Sequence, residues 1–475
     1  MSQLQSHDPK RFEDAASKPE TRGIELIPAT QRHGKARSQF WVWAAPNASF
    51  LTFTMGGVMI AALGLTIGQA ILVIVLAALG WILTGIIAVS GPAAGTSGSV
   101  ITRAIYGIVG NKIVVGLYGW LLAAVYLALT WSAASVNGLG LLRSFGVEST
   151  TALGVIVAIV VAAITVVVAV YGHGLIVKTY PYISNFLVVV FIVATFYMAP
   201  HFDFSYEPAE PLSGGNLAAA ITIGFTMLIS TPLSFINSPD MARYLPQDTA
   251  PWRIAGAVAL GGGLVGIVFT TIGALIATAV DYDPAGGLMG AFEQHLPGWF
   301  FPIFTVAVII AAIALNGMTT YSASLALQSL GIPIRRIPSA MIIAVIGTLL
   351  TIVSVAIYDF TSSVSVMLQL VVVASAPLIA VYAADVIARR NEYDGFGLLD
   401  DTRTSPFWFR RGWNWAGLLA LLIGGAASAL CISTDIYVGP ISAVTGLDVS
   451  IPAGVIVSVV VYLLLSRTAL VKHVD

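Results

Sequence analysis

The sequence predicts an all-α integral membrane protein that crosses the bilayer about twelve times. Of its 475 residues, 57% are hydrophobic and 9% are charged, whereas a soluble domain has roughly 25% charged residues. A spanning helix needs about 20 mainly apolar residues, and such segments recur from about Phe40 to Leu465 with short polar gaps. A water-soluble core has no room for that much apolar surface, so the chain is one membrane domain with polar ends.

The elements of this prediction are apolar segments that end at polar or turn-forming residues. We place the spans at 40–64, 66–90, 113–142, 151–171, 179–199, 217–239, 253–280, 300–328, 339–358, 363–387, 415–434 and 450–467. The transmembrane domain is expected over 39–468. A polar N-terminal tail (1–38), too hydrophilic to fold alone, precedes it, and a short tail (469–475) follows it.

The placement of basic residues predicts the orientation of the chain. Lys and Arg concentrate in cytoplasmic loops of membrane proteins. With the N-terminus in the cytoplasm, 21 of the 22 Lys and Arg residues fall on the cytoplasmic side, and Arg143 alone falls outside. The outer loops 200–216 and 281–299 contain acidic residues but no Lys or Arg. We therefore expect a multi-pass protein of the cell (inner or plasma) membrane with both termini in the cytoplasm.

Two spans contain a proline and polar residues at corresponding positions. Residues 43–49 (WAAPNAS) interrupt the first span, and residues 230–237 (STPLSFIN) interrupt the sixth. Proline removes a helix hydrogen bond, and unpaired backbone at this depth is tolerated only beside protein, water or a ligand. Each break alone is equally well explained by a simple kink. Spans one and six enter in opposite directions, so matched breaks favour two inverted five-helix repeats with a binding site between them.

Missing residue types exclude several functions. The chain has no Gly-rich phosphate-binding motif ending in Lys and Ser or Thr, so any active transport must be coupled to an ion gradient. Catalytic clusters and His or Cys metal-ligand motifs are also absent, so we expect neither an enzyme nor a cofactor. The single cysteine, Cys431, excludes an intrachain disulfide. Among the acidic residues, only Asp240 and Asp385 lie close to a span, and each is near its cytoplasmic end. Because a proton relay usually needs a titratable group at the midplane, this favours a cation held by neutral oxygens.

Span eight contains a candidate cation site. Asn316, Thr319 and Thr320 lie at positions i, i+3 and i+4 and share one helix face, and hard cations prefer oxygen ligands. Backbone carbonyls of the broken first span, near Ala45 and Ala48, supply further oxygens. Hydroxyl residues in membrane helices also commonly bond to their own helix, and composition alone favours that alternative.

These motifs resemble the nucleobase:cation symporter-1 family of purine, cytosine, allantoin and hydantoin permeases. The matching stretches cover most of the chain and are 22–25 (RGIE), 40–43 (FWVW), 103–107 (RAIYG), 110–111 (GN), 171–172 (YG), 238–244 (SPDMARY), 315–320 (LNGMTT) and 410–415 (RRGWNW). The resemblance implies the five-plus-five inverted-repeat (LeuT-like) fold. Its first repeat would cover about 40–199, its second about 217–387, and its two additional C-terminal helices about 415–467.

The resemblance also implies a site and a coupling ion. The partners would be the lipid bilayer and a small heterocycle imported with Na⁺ or H⁺; no nucleic acid polymer is expected, and the oligomeric state is open. The sodium ligands would be the carbonyls of Ala45 and Ala48 and the side chains of Asn316, Thr319 and Thr320. The substrate-binding candidates are Asn47, Ser49, Tyr126, Ser230, Thr231, Tyr321 and Ser324.

The chain departs from the family at the aromatic residues that clamp the substrate in bacterial relatives. Val125 and Thr231 occupy the two positions, so we expect hydrogen bonds to hold the substrate more than an aromatic sandwich. Phe225, Phe235 and Trp131 are alternative rings. Asp240 either helps coupling or gating at the inner end of span six or has a structural role, pairing with Arg243 or capping the next turn.

Three other functions remain open from the residues. An amino-acid or amine symporter on the same fold is the alternative within transport, although neither break provides a buried Arg or Lys for a carboxylate. A membrane-embedded enzyme or a channel is the alternative outside it. An enzyme would place acid, base or metal groups in the membrane interior, and a channel would show a pore-lining repeat.

Overall fold

The structure, a computed structural model, describes residues 16–148, 150–278, 288–357, 360–434 and 436–468. Residues 1–15 of the N-terminal tail, the acidic loop residues Asp281 and Asp283, and the C-terminal tail 469–475 lie outside the described residues. The described chain is almost entirely helical.

The described residues of the first half of the chain form ten α-helices. They are α1 (Arg37–Asn47), α2 (Phe50–Ala61), α3 (Ile67–Ala78), α4 (Gly80–Ala88), α5 (Ser90–Ala94), α6 (Gly98–Ile101), α7 (Arg103–Tyr106), α8 (Ile108–Val114), α9 (Leu122–Ser144) and α10 (Thr151–Met198). A π-helical turn, Val115–Leu121, joins α8 to α9. A capping box starts α3, because Thr66 accepts a bond from the Gln69 amide and Gln69 accepts one from Thr66.

Eleven more α-helices lie in the described residues of the second half. They are α11 (Gly214–Ser234), α12 (Ser238–Ala242), α13 (Pro251–Ala277), α14 (Met289–His295), α15 (Phe301–Ser329), α16 (Arg336–Ile357), α17 (Phe360–Ala388), α18 (Gly395–Leu399), α19 (Trp415–Cys431), α20 (Pro440–Thr445) and α21 (Ser450–Leu465).

Seven helical stretches of the described chain are long and apolar enough to cross a membrane, and four shorter helices are apolar. The stretch Thr151–His201 contains two of the spans predicted from sequence. Its helix α10 has 48 residues, about 72 Å at 1.5 Å per residue, more than twice the thickness of a bilayer core. Gly172 breaks it with φ 69° and ψ −144°, so the boundary between spans four and five lies at Gly172, and the fifth begins before the predicted residue 179.

Both predicted helix breaks are present. After Pro46, α1 ends at Asn47, Ala48 has ψ 71°, and Ser49 is extended. After Pro232, α11 ends at Ser234, Phe235 has ψ 53°, and α12 resumes at Ser238. A simple kink would leave the helix continuous, so each span is a discontinuous pair of helices.

The helices form two packed groups, and the broken helices belong to the first. In that group α1, α2, α4 and α11 pack with α3 or α13. In the other, α9, α10, α15 and α16 pack together, and α1 also contacts α10 and α15. Helices α2 and α13 approach closely, since a Cβ on Gly56 would clash with the Thr270 carbonyl oxygen and one on Gly273 would clash with that of Phe53. Small residues at such crossings bring backbones together in membranes.

The N-terminal segment 16–36 packs against the helices instead of folding alone. The Ile27 side chain is fully buried, and its amide donates to the Gly95 carbonyl at 2.8 Å. Arg32 donates to the carbonyl of Pro92 at 2.6 Å, and Thr96 donates to that of Ile24 at 2.6 Å. This polar segment therefore becomes ordered through contacts at the ends of α5 and α6.

Candidate substrate and cation sites

A cavity of about 60 Å³ opens at the break in the first span, and we call it the break cavity. Its walls come from α1, α2, α3, α4, α9, α11, α13 and α15. It is lined by Pro46, Asn47, Ser49, Leu51, Thr52, Met55, Ile74, Ala77, Ala78, Trp81, Tyr126, Leu228, Thr231, Pro232, Phe235, Gly263, Gly266, Ile267, Thr270 and Leu315. Four predicted substrate ligands, Asn47, Ser49, Tyr126 and Thr231, thus line one cavity.

Local hydrogen bonds orient the polar side chains of this break. The Asn47 amide nitrogen donates to the Trp43 carbonyl at 2.7 Å, which leaves the amide oxygen as an acceptor. Thr52 donates to the Asn47 carbonyl at 2.9 Å, and its hydroxyl lies 2.9 Å from that of Ser49. The break therefore presents neutral acceptors in fixed positions.

A second cavity, of about 100 Å³, lies on the predicted cytoplasmic side of the breaks, and we call it the inner cavity. It is lined by Gly98, Ser99, Thr102, Val114, Val115, Tyr118, Gly119, Leu122, Ala123, Tyr126, Ser234, Phe235, Ile236, Asn237, Asp240, Thr319, Ser322, Ala323, Ala326, Val371, Ser375 and Leu378. Tyr126 and Phe235 line both cavities and form the wall between them.

Tyr126 and Phe235 therefore provide an aromatic pair, although Val125 and Thr231 occupy the two positions where the family has its clamping rings. Phe235 is held in place by Trp43, at a centroid distance of 5.0 Å, and by Trp81, at 5.4 Å. Of the other alternative rings, Trp131 is fully buried in a core cluster, and Phe225 packs at the edge of the core. The geometry thus places Phe235, rather than those two, beside the cavities.

Three predicted substrate ligands are not among the residues that line either cavity. The Ser230 hydroxyl donates to the Met227 carbonyl at 2.6 Å, and that of Ser324 donates to the Tyr321 carbonyl at 2.5 Å. Each bond is made to the residue's own helix. Tyr321 is fully buried and belongs to a charged cluster.

That cluster joins the N-terminal segment to the inner ends of the helices. The Glu20 carboxylate accepts bonds from Arg243 at 2.8 Å, Tyr244 at 2.9 Å and Tyr321 at 3.1 Å. Its second oxygen accepts the His173 amide at 2.8 Å. Glu20 is 3% exposed and Arg243 is fully buried. No sequence pattern indicates this pairing, because Glu20 lies in a polar segment 223 residues away from Arg243.

Asp240 lies at the inner end of the broken sixth span and is 1% exposed. Its carboxylate accepts the Gly98 amide at 2.8 Å. Arg243, one predicted partner, instead pairs with Glu20. Asp240 thus caps the turn that begins α6 and also lines the inner cavity.

The candidate cation ligands Asn316 and Thr320 are fully buried in α15. Neither the Asn316 amide nitrogen nor the Thr320 hydroxyl has a hydrogen-bond partner among the described residues. Thr319 bonds to the Leu315 carbonyl at 3.1 Å and lines the inner cavity. Ala45 and Ala48 are buried at the end of α1, where helix carbonyls lack intrahelical partners.

Thr130 is a further residue of this region that sequence reasoning missed. Its hydroxyl lies 2.5 Å from the Asn316 amide oxygen and 2.9 Å from the Tyr126 carbonyl. One hydroxyl has one proton to donate, and amide oxygen and nitrogen are assigned from the hydrogen-bond network. If Thr130 donates to Tyr126 and accepts from the Asn316 nitrogen, the Asn316 oxygen is left unpartnered, as the Thr320 oxygen is.

Paired helix breaks beside cavities are typical of one class of protein, the secondary membrane transporters built from inverted repeats. A family of permeases for cytosine/purines, uracil, thiamine and allantoin matches residues 26–450. The chain belongs to this family, so the family predicted from the sequence motifs is confirmed, and the protein is a transporter rather than an enzyme.

Two relatives match across most of the chain. A protein assigned as the purine-cytosine permease YxlA of Bacillus subtilis is 24% identical over 468 residues, covering 96% of this chain and 98% of the relative. Purine-cytosine permease FCY21 of Saccharomyces cerevisiae is 24% identical over 452 residues, covering 90% and 81%.

Solved structures show the same fold. Mhp1, a nucleobase-cation-symport-1 family transporter, in a closed conformation with bromovinylhydantoin bound, has a TM-score of 0.75 at 18% identity and covers 94% of this chain and 95% of its own. MhsT in complex with L-phenylalanine has a TM-score of 0.54 at 15% identity, covering 90% and 97%. The predicted LeuT-like membrane fold is confirmed.

Proposed function

We propose that this transporter imports a nucleobase such as cytosine or a purine, or a related small heterocycle, together with Na⁺. The observation that carries the proposal is the pair of cavities between the broken helices, with neutral hydrogen-bonding groups at the break and Tyr126 and Phe235 on the shared wall. Family membership and the purine-cytosine permease relatives support the same substrate class.

The lining of the break cavity favours a neutral ring over an amino acid. Among its described lining residues, none is Asp, Glu, Lys or Arg. A carboxylate or ammonium group buried there would lack a charged partner, and burying an unpaired charge is costly. A flat ring satisfies Asn47, Ser49 and Thr231 at its edge and packs its faces against aromatic and aliphatic side chains.

Unpartnered oxygens support sodium as the coupling ion. The candidate ligands are the carbonyls of Ala45 and Ala48, the Thr320 hydroxyl and the Asn316 amide oxygen, with the Asn316 nitrogen turned towards Thr130. Thr319 lies nearby on the same helix. Leu315 reaches the break cavity beside Pro46, so this part of α15 lies next to the end of α1. A neutral oxygen cage matches the ligand preference of a hard cation.

A thermal-shift screen of the purified protein tests the proposal. The panel contains cytosine, hypoxanthine, uracil, allantoin, thiamine, hydantoin and L-phenylalanine, each in sodium and in choline buffer. Ligands that bind the native state raise the melting temperature, so we expect a heterocycle to stabilise the protein, and more strongly in sodium. Stabilisation by L-phenylalanine alone would contradict the substrate class.

We also propose that the protein lies in the cell membrane with both termini in the cytoplasm, on the basis of the asymmetry of Lys and Arg. Single cysteines in a Cys431→Ser background test this orientation. A cysteine at Glu207 should react with an impermeant maleimide from outside, whereas one at Arg335 should react only from inside. Labelling of position 335 from outside would contradict the orientation.

A further inference from the structure

The inner cavity contains polar atoms that the chain itself leaves without partners. The Asn237 amide oxygen and the Ser375 hydroxyl are buried and have no hydrogen-bond partner among the described residues, and the Ser322 hydroxyl has none there other than the nearby Asp240 carboxylate. Ser322 is 5% exposed and Ser375 is 4% exposed. These residues come from the sixth-span break, α15 and α17, so three separate elements direct polar groups to one cavity.

Most buried serine hydroxyls in the described part of the chain have a hydrogen-bond partner. A buried polar atom without a partner costs about 1–3 kcal/mol. Other buried serines avoid the cost by bonding to carbonyls, as Ser132 does with Ala128 at 2.7 Å and Ser184 with Trp41 at 3.1 Å. Two unpaired groups on one cavity, with a third hydroxyl that faces the Asp240 carboxylate, therefore indicate an occupant that is not part of the chain.

The size and lining of the cavity indicate what the occupant is. One water needs about 10–15 Å³, so a cavity of about 100 Å³ holds several waters or one small ring. Val115, Leu122 and Val371 provide apolar contact for ring faces. The Asn237 oxygen and the Asp240 carboxylate accept hydrogen bonds, whereas the serines can donate.

We propose that the inner cavity is a second binding position for the transported heterocycle, where Asn237, Ser322 and Ser375 bind the edge of the ring. The proposal rests on the proposed function. The ligand class is a neutral ring with N–H or amino donors beside a carbonyl or ring-nitrogen acceptor. Because Tyr126 and Phe235 line both cavities, the ring passes between them when it moves from the break cavity towards the predicted cytoplasmic side.

The π-helical turn in the third span accords with this assignment. Val115, Tyr118 and Gly119 of the turn line the inner cavity. π-helical turns occur frequently at functional sites. The third span therefore leaves regular α-helical geometry beside the proposed second position.

The test measures affinity separately at each face in proteoliposomes of uniform orientation. The probe is labelled cytosine or hypoxanthine, whichever the wild type binds more tightly. External affinity is measured as the KM for uptake. Internal affinity is measured as the concentration of substrate inside the proteoliposomes that produces half of the maximal change in the uptake rate. The variants are Ser322→Ala and Ser375→Ala, with Ser132→Ala as the matched control, because its hydroxyl is satisfied within its own helix.

We expect Ser322→Ala and Ser375→Ala to raise the internal constant about 5- to 150-fold, the effect of losing one needed hydrogen bond, and to change the external KM less than twofold. Ser375→Thr, which keeps the hydroxyl, should retain internal affinity, and Ser132→Ala should change neither constant. Equal rises in both constants would show one merged site, and no rise would show a water-filled vestibule; either result overturns the second position. A wild type that binds neither probe nor any other ring would instead overturn the proposed function.

Discussion

The two broken spans differ in what holds their interrupted backbone. At the first break, between α1 and α2, neutral side chains bond locally, with Asn47 donating to Trp43 and Thr52 donating to Asn47. At the second, between α11 and α12, the inner helix is held from outside the span, because Asp240 accepts the Gly98 amide and Arg243 donates to Glu20.

This difference shows that matched breaks in an inverted repeat need not have matched roles. The first break leaves carbonyls and an amide oxygen facing a cavity without charged lining residues in the described chain, which suits substrate and cation binding. The second break places a fully buried guanidinium in a network with the N-terminal segment, which suits anchoring of the inner helix.

The largest expected effect comes from removing the anchor of the second break. Glu20→Ala leaves Arg243 buried without its carboxylate, and breaking a buried ion pair in this way typically costs about 3–5 kcal/mol. We expect a clear fall in melting temperature in detergent. Glu392→Ala is the control, since Glu392 is an exposed carboxylate on the same predicted side of the membrane and surface changes stay within about 0.5 kcal/mol. Equal melting temperatures for the two variants would remove the anchoring role.

The next effect concerns the cation ligands beside the first break. Coupling between two ligands is typically about 1–3 kcal/mol, so sodium should raise wild-type substrate affinity roughly 5- to 150-fold. Asn316→Ala and Thr320→Val should abolish that increase and leave weak, sodium-independent binding. Thr348→Val is the control, because its hydroxyl bonds to Ala344 in its own helix at 2.8 Å. Titration calorimetry with and without sodium measures the difference, and full sodium dependence in both variants would place the cation elsewhere.

The smallest effects are expected from changes to the polar and the aromatic contacts at the break cavity. Asn47→Ala and Thr231→Val each remove a polar group and should weaken binding by about 1–3 kcal/mol. Phe235→Leu keeps most of the apolar contact and should cost about 0.5–1.5 kcal/mol, the part specific to aromatic pairing. Binding constants from the same titrations rank the three variants. A larger loss from Phe235→Leu than from both polar variants would mean that the aromatic pair dominates.

Much of this architecture follows from the sequence because its signals are local. Apolar segments of membrane length predict the helices, and Pro46 and Pro232, each beside polar residues, predict the breaks. Asn47, Ser49, Tyr126 and Thr231 meet at one cavity because the repeats bring the breaks together.

The residues that sequence reasoning missed depend on long-range packing. Glu20 in a polar segment has no pattern that names Arg243 as its partner. Hydroxyl residues such as Ser375 and Thr130 look the same in sequence whether they bond to their own helix or face a cavity. For the same reason, Ser230 and Ser324 were expected at the substrate, whereas their hydroxyls bond to their own helices.

We propose that sodium binding beside the first break drives uptake of a heterocycle. Uptake of labelled cytosine or hypoxanthine into proteoliposomes is the measurement that separates this from proton coupling. One arm applies an inward sodium gradient at equal pH, and the other applies an inward proton gradient in sodium-free buffer. We predict concentrative uptake in the sodium arm and only equilibration in the other; concentrative uptake that follows the proton gradient and ignores added sodium would contradict the claim and make Asp240 the first residue to neutralise.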